Sequence, residues 1–298
     1  MKTLVKPSGC KINLLLNILG RRPDGFHDLE TILQPVPLFD EIELSRNGSG
    51  IQLTTDHPSL PCDDSNLMVK AARAFFETAG IVPAVTLHLT KRIPMEAGLG
   101  GGSANAAITL LGLNELFDAP LTAGQLHEVA ARLGSDVPFF LQGNPALATG
   151  RGERIEPLAP FPALDGLTLV LVHPGFGIST AWAYRSLARF PEALNGRPGR
   201  SAELIRSLNR RDSPDWGRLL YNSLEAPAFW KYPILGLYVE EFKSRGAVAA
   251  MMSGSGSTVF AWFANRALAE SCLEHFRARF GTAFWSATVE VTEAVAAE

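Results

Sequence analysis

The segment Pro94-Met95-Glu96-Ala97-Gly98-Leu99-Gly100-Gly101-Gly102-Ser103-Ala104-Asn105 limits what this chain can fold into more than any other. A strand-like run, residues 84–90, precedes it, and an Ala- and Leu-rich run that reads as a helix over 102–117 follows it. Four glycines at positions 98–102 are costly to order, so a plain strand-to-helix turn has no use for them. They let the backbone adopt positive φ and approach a ligand closely. The first amides of the helix, and the positive end of its dipole, then face one point, which suits phosphate oxygens. Ser103 adds a hydroxyl for a phosphate or a magnesium ion, and a side chain placed at Gly101 is expected to enter the phosphate path. The segment is not GxxxxGK[ST], because no lysine follows the glycines. Nor is it GxGxxG, because Ser103 stands at the third glycine and no acidic strand end follows about 20 residues on. The competing reading is a tight turn with no ligand.

Around this segment the chain mixes strands and helices. Residues 11–18 and 51–55 read as strands. Asp63-Asp64-Ser65 supplies capping-type residues for a helix that closes at Gly80, and Thr122 with Gln125 has capping-box spacing for a helix through Leu133. After the turn-rich stretch 144–162 comes a buried strand, 167–172, then helices near 180–189, 201–209 and 233–245. The end reads as strand 247–251, glycine turn 253–256, strand 257–263, helix 265–278 and strand 283–291. Strands and helices do not alternate strictly enough for a doubly wound sheet, so the expectation is an α+β protein of two lobes.

Charge narrows the classes of partner. The 27 Lys+Arg against 30 Asp+Glu give a net charge of −3, without the basic surplus of a nucleic-acid footprint or a membrane-surface patch. Cys10, Cys62 and Cys272 are too scattered for a disulfide framework or a zinc site, and a reducing cytoplasm fits; no residue is picked out as a dedicated metal ligand. The first residues lack the apolar stretch of a signal peptide, no apolar run approaches membrane-spanning length, and Asn47-Gly48-Ser49 reads as a surface turn. Oligomeric state is not legible.

PMEAGLGGGSANAA (94–107) resembles the phosphate-binding motif of the GHMP kinase superfamily. Two further stretches narrow the resemblance to the 4-diphosphocytidyl-2-C-methyl-D-erythritol kinases within it. Lys11-Ile12-Asn13-Leu14 with Gly20-Arg21-Arg22-Pro23-Asp24-Gly25-Phe26-His27 is similar to that family's N-terminal signature. Leu133-Gly134-Ser135-Asp136-Val137-Pro138 resembles its catalytic motif, and Met252-Ser253-Gly254-Ser255-Gly256-Ser257-Thr258 its third glycine motif. The resemblance implies a GHMP kinase fold: a nucleotide-binding lobe over residues 1–158, like ribosomal protein S5 domain 2, and a ferredoxin-like lobe over 159–298. It implies ATP-dependent phosphorylation of a tertiary hydroxyl on a cytidylated polyol, a step of non-mevalonate isoprenoid biosynthesis. Magnesium is expected with the nucleotide.

Residue by residue, the resemblance makes Asp136 the acceptor of the hydroxyl proton, where the residues alone read equally as a cap or turn. Lys11 becomes its electrostatic partner, where an isolated lysine is usually a solvated strand end. Asn13, two residues on, shares Lys11's strand face and points to a joint role in substrate binding. Phe26 and Tyr184 map onto positions that sandwich cytosine, His27 onto the residue bonding its edge, and Thr180 onto a substrate contact. Pro94 and residues Gly98, Leu99, Gly100, Gly101, Gly102, Ser103 and Ala104 map onto the nucleotide loop, with Asn66 and Lys91 as further nucleotide contacts. The turn Gly254–Thr258 is open to two readings, a cap on the diphosphate or a hairpin. This chain departs from the family pattern at Gly9-Cys10 before Lys11, at Glu96, at Phe26 in place of tyrosine, and at Asn222-Ser223-Leu224-Glu225. Two rival functions are another GHMP kinase, acting on homoserine or a mevalonate derivative, and a nucleotide-binding relative without turnover.

Overall fold

The computed structural model describes residues 2–211 and 215–290. The first half runs β1 (Thr3–Arg21), β2 (His27–Arg46), β3 (Gly50–Thr55), α1 (Leu67–Ala79), β4 (Ala84–Thr90), α2 (Gly101–Leu116), α3 (Ala123–Leu133), β5 (Ala146–Gly150) and β6 (Arg154–Pro157). The second runs β7 (Thr168–His173), α4 (Thr180–Ser186), α5 (Pro191–Leu194), α6 (Arg200–Leu208), β8 (Tyr221–Asn222), α7 (Glu225–Lys231) and α8 (Pro233–Ser244). It ends with β9 (Ala249–Met252), β10 (Val259–Phe263), α9 (Arg266–Phe280) and β11 (Trp285–Glu290). The α+β expectation holds, and the chain groups into two compact units. One comprises the residues up to Cys10, Leu38–Ile93 and Gly100–Gly143; the other comprises Lys11–Pro37, Pro94–Leu99 and the chain from Asn144 onward.

In the first unit β4 lies parallel to β3 and antiparallel to the far end of β2, with Leu87 opposite both Leu53 and Leu44, and Leu89 opposite Ile42. Alternation sorts the faces: Ile42, Leu44, Val85, Leu87 and Leu89 are buried while Glu41, Glu43 and His88 are exposed. Helices α1, α2 and α3 cover the apolar face around Phe75, Phe76, Leu110, Leu113 and Val129. Each such side chain contributes on the order of 1.5–3 kcal/mol by leaving water. The small residues of α2 let it press onto the sheet, for a Cβ at Gly112 would stand 2.8 Å from Leu44 Cδ1. The capping box at Thr122 and Gln125 forms as its spacing predicts. For α1 the cap is Asn66 rather than the Asp63–Ser65 run, which makes its own turn through Asp63 Oδ1 and Ser65 N (2.9 Å). Gly80 closes the helix at φ 67°.

The second unit holds a four-stranded antiparallel sheet in the order β11-β7-β10-β9. With β7, α8, β9, β10, α9 and β11 in sequence, this is the ferredoxin-like arrangement expected of the C-terminal lobe. Strand β10 is buried along its length because both sheet faces are covered. Val259, Ala261 and Phe263 join the core shared by α8 and α9, where Phe242 stacks on Phe276 at 5.0 Å. Trp262, one residue out of phase, meets Trp216 edge-on at 6.4 Å. In the same unit β5 pairs with the first part of β2, opposing Leu29 to Gly150, and β8 pairs parallel with β1, opposing Leu16 to Asn222.

The anticipated strand 11–18 is the middle of a 19-residue strand, and the 20-residue β2 has no counterpart in the expectations. Pro35 and Pro37 break its strand pattern, yet they fall between the stretch paired with β5 and that paired with β4, where that edge needs no ladder donor.

Candidate active site

The glycine segment takes its shape from alternating left-handed residues: φ is 51° at Glu96, 76° at Gly98 and 71° at Gly100, the N-cap of α2. Gly100 offers no side-chain cap to the leading amides of α2, and the first turn of the helix carries no acidic residue. Within the first unit Gly101 faces inward. A Cβ there would stand 3.2 Å from Ile93 Cγ2 and 3.4 Å from Lys91 Nζ. A side chain at Gly101 would therefore first meet Ile93 and the Lys91 ammonium. Gly102 is the exposed position, with only Leu67 Cδ1 at 3.8 Å.

Lys91 reaches that helix start as part of a buried network. Its Nζ donates to Asp40 Oδ2 (2.7 Å), Asp40 Oδ1 accepts from the amides of Arg92 (2.8 Å) and Ile93 (2.9 Å), and Asn105 Nδ2 donates to Asp40 Oδ2 (3.0 Å). Asp40 is fully buried and so compensates a buried ammonium while pinning the loop and α2 through one carboxylate. Asn66, anticipated at the nucleotide, uses Oδ1 to cap α1 at Met68 N (2.8 Å) and Nδ2 to hold Pro61 O (2.7 Å). Asp136 sits half-buried in the turn between α3 and the 3₁₀ turn Pro138–Leu141.

Three sequence motifs converge in the second unit. Lys11, only 3% exposed, directs Nζ to Asn13 Oδ1 (2.6 Å) and to the carbonyl of Gly98 (3.0 Å). The period-two pairing of Lys11 with Asn13 is thus realised, and Asn13 Nδ2 is fixed by Thr31 Oγ1 (2.8 Å). Lys11 N also donates to Leu99 O (2.9 Å), tying β1 to the glycine segment by backbone. The third glycine motif closes over this group. Ser253 Oγ donates to Gly98 O (3.0 Å), Thr258 N to Ala97 O (3.2 Å), and a Cβ at Gly254 would stand 3.3 Å from Lys11 Nζ. Glu96 packs over Gly177, where a Cβ would come within 2.5 Å of its Oε2.

A second cluster of this unit gathers expected substrate residues. His27 and Tyr184 rings lie 5.2 Å apart, and Thr180, at the start of α4, shares a hydrogen bond with Ser255 Oγ (2.9 Å). Phe26 is 53% exposed and carries the Arg151 guanidinium over its ring at 4.7 Å. Burial and the positive charge of Arg21 hold the His27 pKa below its usual value, favouring the neutral imidazole.

The chain matches the model for the GHMP kinases N terminal domain over residues 66–144 and that for the GHMP kinases C terminal over 204–282. It is 44% identical to the 4-diphosphocytidyl-2-C-methyl-D-erythritol kinase of Acaryochloris marina, covering 90% of this chain and 89% of that one. The enzyme of the same name from Synechococcus sp. is 41% identical, covering 92% and 90%. The chain belongs to the 4-diphosphocytidyl-2-C-methyl-D-erythritol kinase family. A crystal structure of a 4-(cytidine 5'-diphospho)-2C-methyl-D-erythritol kinase superposes with a TM-score of 0.76 at 33% identity, covering 97% of this chain and 100% of that one. A homoserine kinase from Cytophaga hutchinsonii, at 20% identity and a TM-score of 0.74, shares the fold.

For a kinase of this family the sequence left several structural residues unread. Asn222 and Glu225 were visible only as a variant motif, yet Asn222 Nδ2 bonds Met252 O and Gly254 O (both 2.8 Å) and Glu225 Oε1 accepts from Met252 N (2.9 Å). Burial raises the Glu225 pKa to about 7. Asp40 gave no local signal, because its partners lie 51 to 65 residues further along the chain.

Proposed function

We propose that this chain transfers the γ-phosphoryl group of ATP to the tertiary hydroxyl of 4-diphosphocytidyl-2-C-methyl-D-erythritol. The observation that carries this is the lysine buried at the glycine segment. Its ammonium, 3% exposed, is held at Gly98 O and Asn13 Oδ1, which sets a positive charge at the glycine segment where negative charge on a transferred phosphoryl group would be offset. Identity of 41–44% over about nine-tenths of the chain to proteins of that name supports the choice of alcohol.

Asp136 accepts the hydroxyl proton as the substrate oxygen attacks the γ-phosphorus and the bond to the bridging oxygen of ADP breaks. Lys11 offsets the charge on the phosphoryl oxygens, and Asn13 orients the polyol. The first turn of α2, Gly101 to Ala104, receives the nucleotide phosphates, with Pro94 and Gly98 to Gly100 shaping the approach and Lys91 adding charge at the helix start. Asn66 flanks the nucleotide from its cap. Cytosine stacks at Phe26 and Tyr184 and presents its edge to His27, a contact worth roughly 1–3 kcal/mol per stacked base; Thr180 lies on the same side of the substrate.

Among the described residues no group of three or more His, Cys, Asp or Glu side chains converges to hold a metal. Magnesium would arrive on the nucleotide, with the Ser103 hydroxyl as its protein contact, and supply charge neutralisation at the phosphates. The test is ADP release by purified protein on equimolar 4-diphosphocytidyl-2-C-methyl-D-erythritol, homoserine and mevalonate, each with ATP. Turnover confined to the cytidylated polyol supports the proposal. Turnover only on an alcohol without cytidine overturns it, and ATP binding with no turnover on any alcohol favours a silent relative.

A further inference from the structure

The segment Asn222-Ser223-Leu224-Glu225 has no part in the chemistry above, yet its side chains hold the glycine turn that closes over Lys11. Asn222 is 3% exposed and pairs in β8 with Leu16 of β1, the strand that carries Lys11 and Asn13. Ser223 strengthens that attachment: its amide donates to Leu16 O (2.8 Å) and its Oγ accepts from Ile18 N (3.0 Å). From this anchorage Asn222 Oδ1 accepts from Leu224 N (2.9 Å), which leaves the two protons of Nδ2 for Met252 O and Gly254 O. One amide therefore bridges the carbonyls on either side of Ser253. Glu225 takes the Met252 amide, so both backbone polar groups of Met252 are held by this segment.

The consequence falls on Ser253 and Gly254. Ser253 Oγ shares the Gly98 carbonyl with Lys11 Nζ, and Gly254 lies so close that a Cβ would come within 3.2 Å of Asn13 Oδ1 and 3.3 Å of Lys11 Nζ. A shift of the turn by a fraction of an ångström is therefore a shift in the wall against which the ammonium rests. We propose that Asn222 is a positioning residue for phosphoryl transfer, bracketing the Met252–Gly254 turn so that Lys11 is held at Gly98 in the orientation the reaction uses. This rests on the assignment of Lys11 to the reaction. It concerns how Lys11 is held, and not which alcohol is phosphorylated.

The test compares Asn222→Asp with wild type in full-length protein, using radiolabelled ATP and whichever alcohol the wild type phosphorylates. Wild-type turnover on the alcohol panel decides the functional proposal separately. An aspartate at 222 turns a carboxylate oxygen toward two carbonyls, so the turn is repelled where it was held. Misplacement of the wall by about 1 Å should lower kcat by about 10²-fold while both KM values stay within about threefold. In a Lys11→Met background the same change should cost less than about threefold, because the group it positions is gone. A folded Asn222→Asp protein with wild-type kcat, or an equal loss with and without Lys11, overturns the proposal. Should Asn222→Asp fail to fold, Ser253→Ala leaves the Asn222 bracket intact and removes only the link to Gly98 O. A several-fold drop in kcat at unchanged KM then supports the positioning chain, and wild-type kcat overturns it.

Discussion

Replacing Gly98 by alanine should damage both fold and activity, and the size of the effect can be worked from the contacts. At φ 76° a non-glycine residue costs roughly 1–2 kcal/mol. The added methyl would then stand 2.0 Å from Ser253 O, 3.0 Å from Ser253 C and 3.1 Å from Gly256 N, all backbone atoms that no rotamer change can move. Relief requires the two glycine segments to part by about 1 Å, at an overpacking cost of about 1–3 kcal/mol. Parting them stretches the bonds that Gly98 O accepts from Lys11 Nζ and Ser253 Oγ. The total is about 2–5 kcal/mol, a large share of a typical folding free energy, and corresponds to a loss of about 3–8 °C in Tm for a chain of this length. Because Lys11 loses its carbonyl partner, kcat should fall by at least about tenfold. Gly102→Ala is the internal comparison: its Cβ meets only Leu67 Cδ1 at 3.8 Å, so Tm should hold or rise and the effect should appear in KM for ATP. Thermal melts followed by circular dichroism, with steady-state kinetics on both variants, make the comparison. A Gly98→Ala protein with the Tm and kcat of the wild type would refute this reasoning.

Asp136→Asn should lower kcat by about 10²–10⁴-fold with KM for ATP nearly unchanged, and near-normal turnover would remove Asp136 from the chemistry. Asp40→Asn leaves the Lys91 ammonium buried without its carboxylate and should cost about 3–5 kcal/mol by denaturant titration, whereas a loss below about 1 kcal/mol would mean the pair is not the anchor of the loop. Glu225 has a folded pKa of about 7, above its ordinary 4.5, so its contribution is full below pH 4.5 and is lost as pH rises through 7. Glu225→Gln should therefore flatten the decline in stability across that window, by about 2–3 kcal/mol at neutral pH, and an unchanged pH profile of stability would contradict the shift.

How much of this could be read from the sequence depended on how local each feature is. The capping box of α3, the αL glycine closing α1 and the strand–glycine–helix order of the phosphate segment are set by neighbours within a few residues, and all formed where the pattern placed them. The pairing of Lys11 with Asn13 followed from strand periodicity alone. Strand β2 escaped because its two prolines carry the usual mark of a break, and only the sheet shows that they fall between the stretch paired with β5 and that paired with β4. The inward aspect of Gly101 escaped for a related reason, since a glycine's missing side chain has a direction only in three dimensions. Asp40 and Asn222 escaped because a hydrogen bond to a distant carbonyl or ammonium leaves no trace in the residues beside it. Aspartate and asparagine are ordinary turn residues, and nothing in their surroundings distinguishes a buried clamp from a solvated loop. Asn66 carries both aspects, for the side chain that the family motif assigns to the nucleotide is also the cap of α1.

Phosphorus NMR of a reaction containing ATP, magnesium and 4-diphosphocytidyl-2-C-methyl-D-erythritol tests the assigned transfer most directly. If the γ-phosphoryl group moves to the tertiary hydroxyl, one new phosphomonoester resonance grows in step with ADP, retains the two diphosphate signals of the cytidylated polyol, and is absent when homoserine or mevalonate replaces it. ADP formed with inorganic phosphate alone, or a phosphomonoester that appears only with an alcohol lacking cytidine, would contradict it.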